Sequence, residues 1–245
     1  MRTKRTKSKL NIPWKIKSLI FSFIDYLYLT KLLYFLQKYI TKRSRITSLV
    51  ESPNWIMHKD ALDKYKTNNV VFEFGAGKSL VQNIYLSKFV KKQFVVDLYP
   101  MIDIELVNSE RKKLLEIENL RSRVKIKNIK NLEKYGIFYL APYDASKIHL
   151  WDNTIDACIS TNTLEHIPKD DIILIFSELY KKLKDEGIAS LIIDYSDHYA
   201  HTDNNISLLN FLKFSRHQWK RYNHKIHFQN RLRHYEYRSE EHTSE

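Results

Sequence analysis

The chain has 245 residues, of which 43% are hydrophobic and 13% aromatic, and this is enough for one ordinary globular core. With 4 Gly and 5 Pro it is not a fibrous or low-complexity sequence, and its single cysteine, Cys158, excludes an internal disulfide and a thiolate metal site. The formal net charge of +13 favours an anionic partner.

The positive charge is concentrated in residues 1–60, which hold 13 Lys or Arg and 3 Asp or Glu, whereas the remaining residues hold 28 and 25. We therefore predict a basic N-terminal arm over 1–60. Such an arm suits an anionic surface, either lipid or nucleic acid, and a solvated tail is the alternative.

Within this arm, residues 14–40 are rich in aliphatic and aromatic side chains, and the longest stretch without Lys is 18–30. A spanning helix needs about 20 apolar residues, so we predict no transmembrane helix. An amphipathic helix followed by the basic cluster 42–45 suits an anionic membrane surface, reached through residues 14–45. A helix that packs on the body of the protein is the alternative. We expect a cytoplasmic protein, peripheral to the inner membrane face if the first interpretation holds.

From residue 69 onward, short apolar runs alternate with helical stretches. The predicted strands are 70–72, 93–96, 137–140, 155–159 and 188–193, and the predicted helices cover about 79–90, 103–120 and 170–184. Apolar strands that alternate with helices indicate an α/β fold with a doubly wound, mostly parallel sheet. Such a sheet binds ligands beyond the carboxyl ends of its strands.

The first strand leads into a glycine turn. Gly75 and Gly77, spaced by one residue, permit a tight turn and a close approach of the backbone to a ligand. Leu80 and Phe72 occupy the positions where a dinucleotide fingerprint or a P-loop would need glycine, so neither motif is present. Glu73, two residues before the first glycine, suits a cationic or hydroxyl-bearing ligand better than a pyrophosphate.

Polar residues also follow the later strands. Asp97, after the second strand, is placed to accept hydrogen bonds from a ribose diol. Asp144, after the third run, could hold an exocyclic amine such as that of adenine. Thr161 and Asn162, after the fourth, are predicted to line the floor of the same cleft.

Four segments in this order, over about residues 69–200, resemble the type 11, small-molecule branch of the class I S-adenosylmethionine-dependent methyltransferases: VVFEFGAGK, QFVVDL, IDACISTNTLEHIP and IASLIIDYSDH. The resemblance implies a Rossmann-like methyltransferase fold with S-adenosyl-L-methionine as cofactor. One departure is Ser79, which stands where the family often has a third glycine. The residues that the resemblance assigns are Glu73, Gly75 and Gly77 for the amino-acid part of the cofactor, Asp97 for its ribose, Asp144 for the adenine amine, and Thr161 and Asn162 for the region near the sulfonium.

The fifth strand is followed by a dense polar segment, with two His and three Asp in residues 194–203. Methyl transfer depends mainly on positioning, and transfer to a hydroxyl also needs a base that removes its proton. Our candidate catalytic residues are His198, then His201, with Asp197. A site for Mg²⁺ or Mn²⁺ and a purely structural loop remain alternatives, and we assign no metal.

The remaining domain predictions concern the C-terminal part. We expect the methyltransferase domain over 61–205 and a helical insertion on the acceptor side over 206–237, where Arg231 and Arg233 either bind an anionic acceptor or are simply exposed. Residues 238–245 resemble the in-frame translation of a sequencing adapter, and we predict a non-native tail there. Because the family carries seven strands and we count five, the sequence also predicts a C-terminally truncated sheet with an exposed apolar edge.

The predicted function is methyl transfer to a small-molecule or glycan-type acceptor, at oxygen. One alternative is a nucleic-acid methyltransferase that uses the basic arm. Against it, Thr161, Asn162 and Thr163 replace the Pro-Pro-aromatic motif of amino-methylating DNA enzymes, and Ala157 rather than Pro precedes Cys158. A catalytically inactive, membrane-associated protein is the other alternative.

Overall fold

The computed structural model describes residues 11–27 and 54–241, with side chains as far as Arg238. The basic cluster at 42–45, the first ten residues and the end of the tail lie outside the described residues. The chain divides into two compact units. Of the described residues, the sheet unit comprises 54–164, 169–193 and 238–241, and the aromatic unit comprises 11–27, 165–168 and 194–237.

The sheet unit is built on five strands that pair in the order β3-β2-β1-β4-β5, and every pair is parallel. This confirms the predicted α/β fold. The strands are β1 (Val70–Phe74), β2 (Lys92–Val96), β3 (Ile137–Leu140), β4 (Ile155–Thr161) and β5 (Leu183–Ile192).

The helices differ in length from their predicted extents for local reasons. The helix predicted at about 79–90 begins at Val81, because Leu80 has a left-handed backbone conformation with φ of 45°. The fifth strand begins at Leu183, earlier than predicted, and its register with β4 is irregular between Ile155 and Ala157. The α-helices are α1 (Trp14–Tyr26), α2 (Trp55–Tyr65), α3 (Val81–Leu86), α4 (Ile104–Ile117), α5 (Lys169–Lys182), α6 (Arg216–Trp219) and α7 (His234–Glu241).

Both faces of the sheet are buried, as expected for parallel strands. Val71, Val95 and Ile159 point to one face, where they join a core with buried residues of α2, α3 and α4. Phe72 and Cys158 point to the other face and are also buried. β5 lies at one edge, and none of its ten residues is fully buried.

The strand order places the switch point of the sheet between β1 and β4. The chain proceeds from β1 outward to β2 and β3, then returns to β4 on the other side of β1 and continues to β5. Right-handed crossovers therefore put α3 and α4 on one face and α5 on the other. Ligands bind at such a switch point, beyond the carboxyl ends of the two strands.

The aromatic unit holds α1 against the segment that follows β5. Trp14 packs with Tyr199, Phe211 and Trp219 in a buried cluster, and its backbone N–H donates to Asp203 Oδ2 at 2.9 Å. At the other end of α1, Asp25 Oδ2 accepts from the backbone N–H of residue 225 at 2.9 Å. One face of α1 is thus packed against other residues of the aromatic unit.

The opposite face of α1 is exposed. Large apolar side chains on this face are Ile16, Leu19, Ile20, Phe23 and Tyr26. Within 11–27 and 54–241, no helix has both the length and the apolar character that crossing a bilayer requires.

Candidate functional site

A cavity of about 170 Å³ opens at the switch point of the sheet unit. Glu73 at the end of β1, Gly75 in the turn after it, Gln82 of α3, and Thr161 and Asn162 at the end of β4 all line it. Four of the seven predicted cofactor residues therefore share one cavity.

Glu73 is the ionisable group of the cavity wall, and it is only 3% exposed. Its two carboxylate oxygens accept hydrogen bonds from Gln82 Nε2 at 3.0 Å and Asn83 Nδ2 at 2.5 Å. Burial raises the pKa of Glu73 to about 8, and the nearby Asp97 adds to the rise, whereas the two amide donors oppose it. The free protein therefore holds this carboxyl largely protonated at neutral pH.

A line of hydrogen-bonded polar side chains, of which His58 is fully buried and the others half-buried, leads to Glu73. Ser190 Oγ lies 2.8 Å from His58 Nδ1, and His58 Nε2 lies 2.9 Å from Thr161 Oγ1. Thr161 Oγ1 donates to Gln82 Oε1 at 3.2 Å, so it accepts its bond from the His58 Nε2–H group. With this tautomer, every hydrogen along the line points toward Glu73. Burial lowers the pKa of His58 to about 4, which keeps the ring neutral as the arrangement requires.

The two glycines of the turn have positive φ values but different surroundings. A Cβ on Gly75, where φ is 74°, would lie 2.3 Å from Thr163 Cγ2. A Cβ on Gly77, where φ is 73°, would meet nothing within 4 Å. The close approach of Thr163 requires glycine at position 75. At position 77 the space is open, and the positive φ is what favours glycine.

Asp97 lies beside the turn without lining the cavity. Its Oδ1 accepts from the Gly77 N–H at 3.3 Å, and its Oδ2 accepts from the Tyr139 hydroxyl at 2.9 Å. The Gly75 N–H donates to the carbonyl of Val96, the residue before Asp97, at 2.9 Å. Burial raises the pKa of Asp97 above its ordinary value, in part offset by these donors. The glycine turn and the two acidic residues thus occupy one end of the sheet.

Asp144 has a different environment from the other predicted cofactor residues. It is exposed, and its carboxylate accepts from the Ser146 N–H at 2.9 Å and the Ser146 hydroxyl at 2.7 Å. These bonds hold the pKa of Asp144 below its ordinary value. Its neighbour Tyr143 donates a backbone N–H to the Asp97 carbonyl at 2.9 Å, which ties this loop to the end of β2.

The predicted catalytic histidines lie in a 3₁₀ turn at His198–His201 of the aromatic unit. His198 Nε2 lies 3.3 Å and His201 Nε2 lies 3.6 Å from Asp194 Oδ2. Although burial alone would raise it, contacts with His198 and Ser196 hold the pKa of Asp194 below its ordinary value. The Ser196 hydroxyl also lies 2.9 Å from His201 Nε2.

Asp197, the third predicted catalytic residue, is fully buried. Its carboxylate accepts from the Tyr199 N–H at 2.8 Å and from Asn210 Nδ2 at 3.1 Å. It caps the 3₁₀ turn that presents His198 and His201. A carboxylate enclosed in this way positions the turn and is not accessible to an acceptor.

The two arginines of the predicted insertion contact backbone carbonyls and aromatic rings. Arg231 Nη2 donates to the Phe214 carbonyl at 2.8 Å, and Arg233 Nη1 donates to the Tyr195 carbonyl at 2.9 Å. The Arg233 guanidinium also lies 5.0 Å from the centroid of the Tyr195 ring. Both side chains therefore already serve the packing of the aromatic unit.

Part of the chain matches a known protein family. Residues 72–191, just under half of the chain, match the type 11 methyltransferase domain family. None of the functionally curated proteins matches the sequence.

Several solved structures are similar to the chain. A Methanococcus maripaludis protein, described as a candidate S-adenosyl-L-methionine-dependent methyltransferase, has 14% identity and a TM-score of 0.37, and the match covers 77% of this chain and 66% of that one. The YcgJ protein of Bacillus subtilis has 17% identity and a TM-score of 0.39, with 58% and 51% covered. The DhpI-SAM-HEP complex has 13% identity and a TM-score of 0.41, with 74% and 73% covered.

This chain thus spans less than two thirds of the length of the first two of these proteins, and the low TM-scores transfer no chemistry to it. The family match is more informative, because it begins in β1 and ends in β5 and so covers the whole sheet. Residues 72–191 match the type 11 methyltransferase domain family, the family that the order of their motifs resembles.

Proposed function

We propose that the protein transfers a methyl group from S-adenosyl-L-methionine to an oxygen atom of a small-molecule or glycan-type acceptor. The observation that supports this most is the buried carboxylate of Glu73 beside a glycine turn, in a cavity at the switch point of a methyltransferase domain. When bound, the cofactor supplies an electrophilic methyl group on a sulfonium.

The amino-acid part of the cofactor fits the cavity best. A volume of about 170 Å³ is small beside the roughly 300–1,000 Å³ of sites that enclose a whole ligand. The ammonium group would contact Glu73 and favour its ionised form, and Thr161 and Asn162 would lie near the sulfonium. In this assignment, the line of hydrogen bonds from His58 holds Gln82 in position to donate to Glu73.

The nucleoside part is assigned to the residues beside the cavity. Each oxygen of Asp97 accepts one protein hydrogen bond and retains a lone pair for a ribose hydroxyl. Gly77 has no side chain, so the nucleoside could approach its backbone closely. Asp144 would accept a hydrogen bond from the adenine amine. Because Asp144 is exposed, we expect it to contribute less to cofactor binding than the buried Asp97.

The acceptor side is assigned to the 3₁₀ turn at His198–His201. Transfer to a hydroxyl forms a C–O bond, breaks the C–S bond and releases a proton, which His198 or His201 would accept. Asp194 would stabilise the histidinium that results, and Asp197 would position the turn rather than take part in proton transfer.

Isothermal titration of the whole chain with S-adenosyl-L-methionine tests the cofactor assignment. We expect saturable binding that Asp97→Ala abolishes and that Asp152→Asn, at an exposed acid, leaves unchanged. Absence of saturable binding by a chain with a cooperative thermal transition would disprove the proposal.

A second function is supported by the exposed face of α1. Apolar side chains at positions 16, 19, 20, 23 and 26 accompany the exposed Lys15, a combination that suits the interface of an anionic membrane. We propose peripheral attachment to the inner membrane face. The buried, unpaired Cys158 fits a reducing cytoplasm.

Sedimentation with vesicles tests this second function. Vesicles rich in phosphatidylserine should retain the chain, and Leu19→Glu with Phe23→Glu should release it. Vesicles of phosphatidylcholine should retain little. Retention by RNA instead, with a steep dependence on salt, would favour the nucleic-acid alternative.

A further inference from the structure

Metal-ligating side chains from two separate segments of the aromatic unit come together around His198. Glu165, His166 and His198 each offer one ligand atom, and these atoms all lie within 4.8 Å of one another. The same holds for Asp194, His198 and His201. His198 belongs to both sets, and its ring centroid lies 4.9 Å from that of His166.

Glu165 is a buried carboxylate whose charge is not compensated by hydrogen bonds. It is 3% exposed, and neither of its side-chain oxygens has a hydrogen-bond partner among the described residues. Leaving such a group unpaired costs free energy in either protonation state, which a bound cation would offset.

The histidines are oriented as metal ligands usually are. His166 Nδ1 lies 2.8 Å from the Phe228 carbonyl, which can only accept, so Nδ1 carries the proton and Nε2 keeps its lone pair. His198 Nε2 is buried and has no hydrogen-bond partner in the described part of the chain, although Asp194 Oδ2 lies 3.3 Å away. The Glu165 carboxyl group and two imidazoles thus converge, with Asp194 beside His198.

We propose that Glu165, His166 and His198 bind one divalent transition-metal ion of the zinc type. Two nitrogen ligands and one oxygen ligand are a known set for Zn²⁺ and leave its fourth position to water. His201 is left out of the ligand set, because its Nε2 lies 2.9 Å from the Ser196 hydroxyl. The ion would join residues 165–168 to residues 194–201 within the aromatic unit and neutralise Glu165.

This site goes beyond the proposed methyl transfer and does not depend on it. If His198 is a ligand, the proton of an acceptor hydroxyl passes to His201. The sequence alone pointed to oxygen and imidazole ligands in 194–203 and assigned no metal. Glu165 and His166, which precede that segment by about 30 residues, complete the set only in the folded chain.

The test is a zinc titration of the whole chain after dialysis against a chelator, in competition with a chromophoric chelator and without cofactor or acceptor. We expect one equivalent of tightly bound Zn²⁺. Glu165→Gln and His166→Gln should each weaken binding by at least about tenfold. The matched substitutions Glu116→Gln and His217→Gln, at exposed helical positions, should leave it unchanged.

Cobalt provides a second readout that does not depend on the stability of the variants. Co²⁺ in the wild-type site should give visible ligand-field absorption, which Glu165→Gln, a variant that removes a buried charge, should shift or abolish. Less than one equivalent of bound zinc, or equal binding by the wild type and Glu165→Gln, would overturn the proposal. Failure of S-adenosyl-L-methionine binding would not bear on it, since no cofactor is present in these titrations.

Discussion

His58 Nε2 lies 2.9 Å from Thr161 Oγ1, although 103 residues separate the two in sequence. This contact joins α2 to the carboxyl end of β4 and transmits a fixed hydrogen-bond direction to Gln82 and then to Glu73. A neutral imidazole has one donor and one acceptor, so His58 can serve both hydroxyls.

Replacement of His58 by Phe is expected to lower stability and weaken cofactor binding. The half-buried Thr161 and Ser190 hydroxyls would lose their partner, and the loss of a hydrogen bond of this kind costs about 0.5–1.5 kcal/mol. Urea denaturation and S-adenosyl-L-methionine titration measure the two effects. His149→Phe, at an exposed position, is the control. Equal behaviour of the two variants would contradict the prediction.

The free energy of unfolding should depend on pH through Glu73. Because burial raises the pKa of Glu73 from 4.5 to about 8, the folded chain binds one more proton than the unfolded chain between these values. Stability from this group is therefore greatest below about pH 4.5 and falls as the pH rises toward 8. Glu73→Gln should remove this part of the slope, while Glu165 and other groups contribute equally to both proteins. Urea denaturation of both proteins at pH 5.5 and 8.5 measures this difference. An equal change of unfolding free energy with pH in the two proteins would refute the prediction.

Cofactor binding should release a proton from the same carboxyl. An ammonium group beside Glu73 favours the ionised form, so affinity should rise as the pH approaches 8 and level off above it. Titrations in buffers of different ionisation enthalpy count the protons released. Glu73→Gln should bind more weakly and release none, and an unchanged proton count in that variant would assign the release to another group.

The two glycines of the turn should respond differently to alanine. Both substitutions place a side chain at positive φ, which costs about 1–2 kcal/mol. Gly75→Ala adds a clash with Thr163 and should cost more than Gly77→Ala. Adding Thr163→Ala, which removes Cγ2 and Oγ1 at 2.3 and 2.4 Å from the new Cβ, should recover part of the loss in the Gly75 variant only. Additive effects of the two changes would show that the clash is relieved elsewhere.

The packing of α1 can be separated from its exposed face. Trp14 is buried among Tyr199, Phe214 and Tyr222, so Trp14→Ala should lower stability by about 3–5 kcal/mol. Phe23→Ala, at an exposed position of the same helix, should change stability by less than about 0.5 kcal/mol. Thermal unfolding measures both, and comparable losses would mean that the exposed face is also packed.

Much of the domain is readable from the sequence because its signals are local. Apolar runs without polar alternation identify all five strands, and the turn after β1 and the acid after β2 identify the end of the sheet where a ligand binds. Gly75 and Gly77 have the positive φ values that their spacing suggests. The same locality explains the error at α3, since nothing in the sequence marks Leu80 as left-handed.

The sequence by itself determined the parallel sheet, the family and the residues at the strand ends, because each follows from periodicity or from a motif within a few positions. Only the tertiary structure decided how His58 and Ser190 support Glu73, that Asp197 is enclosed as a cap, and that Glu165 and His166 meet His198. The two contacts of His58 join side chains 2.8 and 2.9 Å apart across 132 and 103 residues of chain. Their geometry depends on strand register and on the burial of charge, neither of which leaves a pattern in the order of the amino acids.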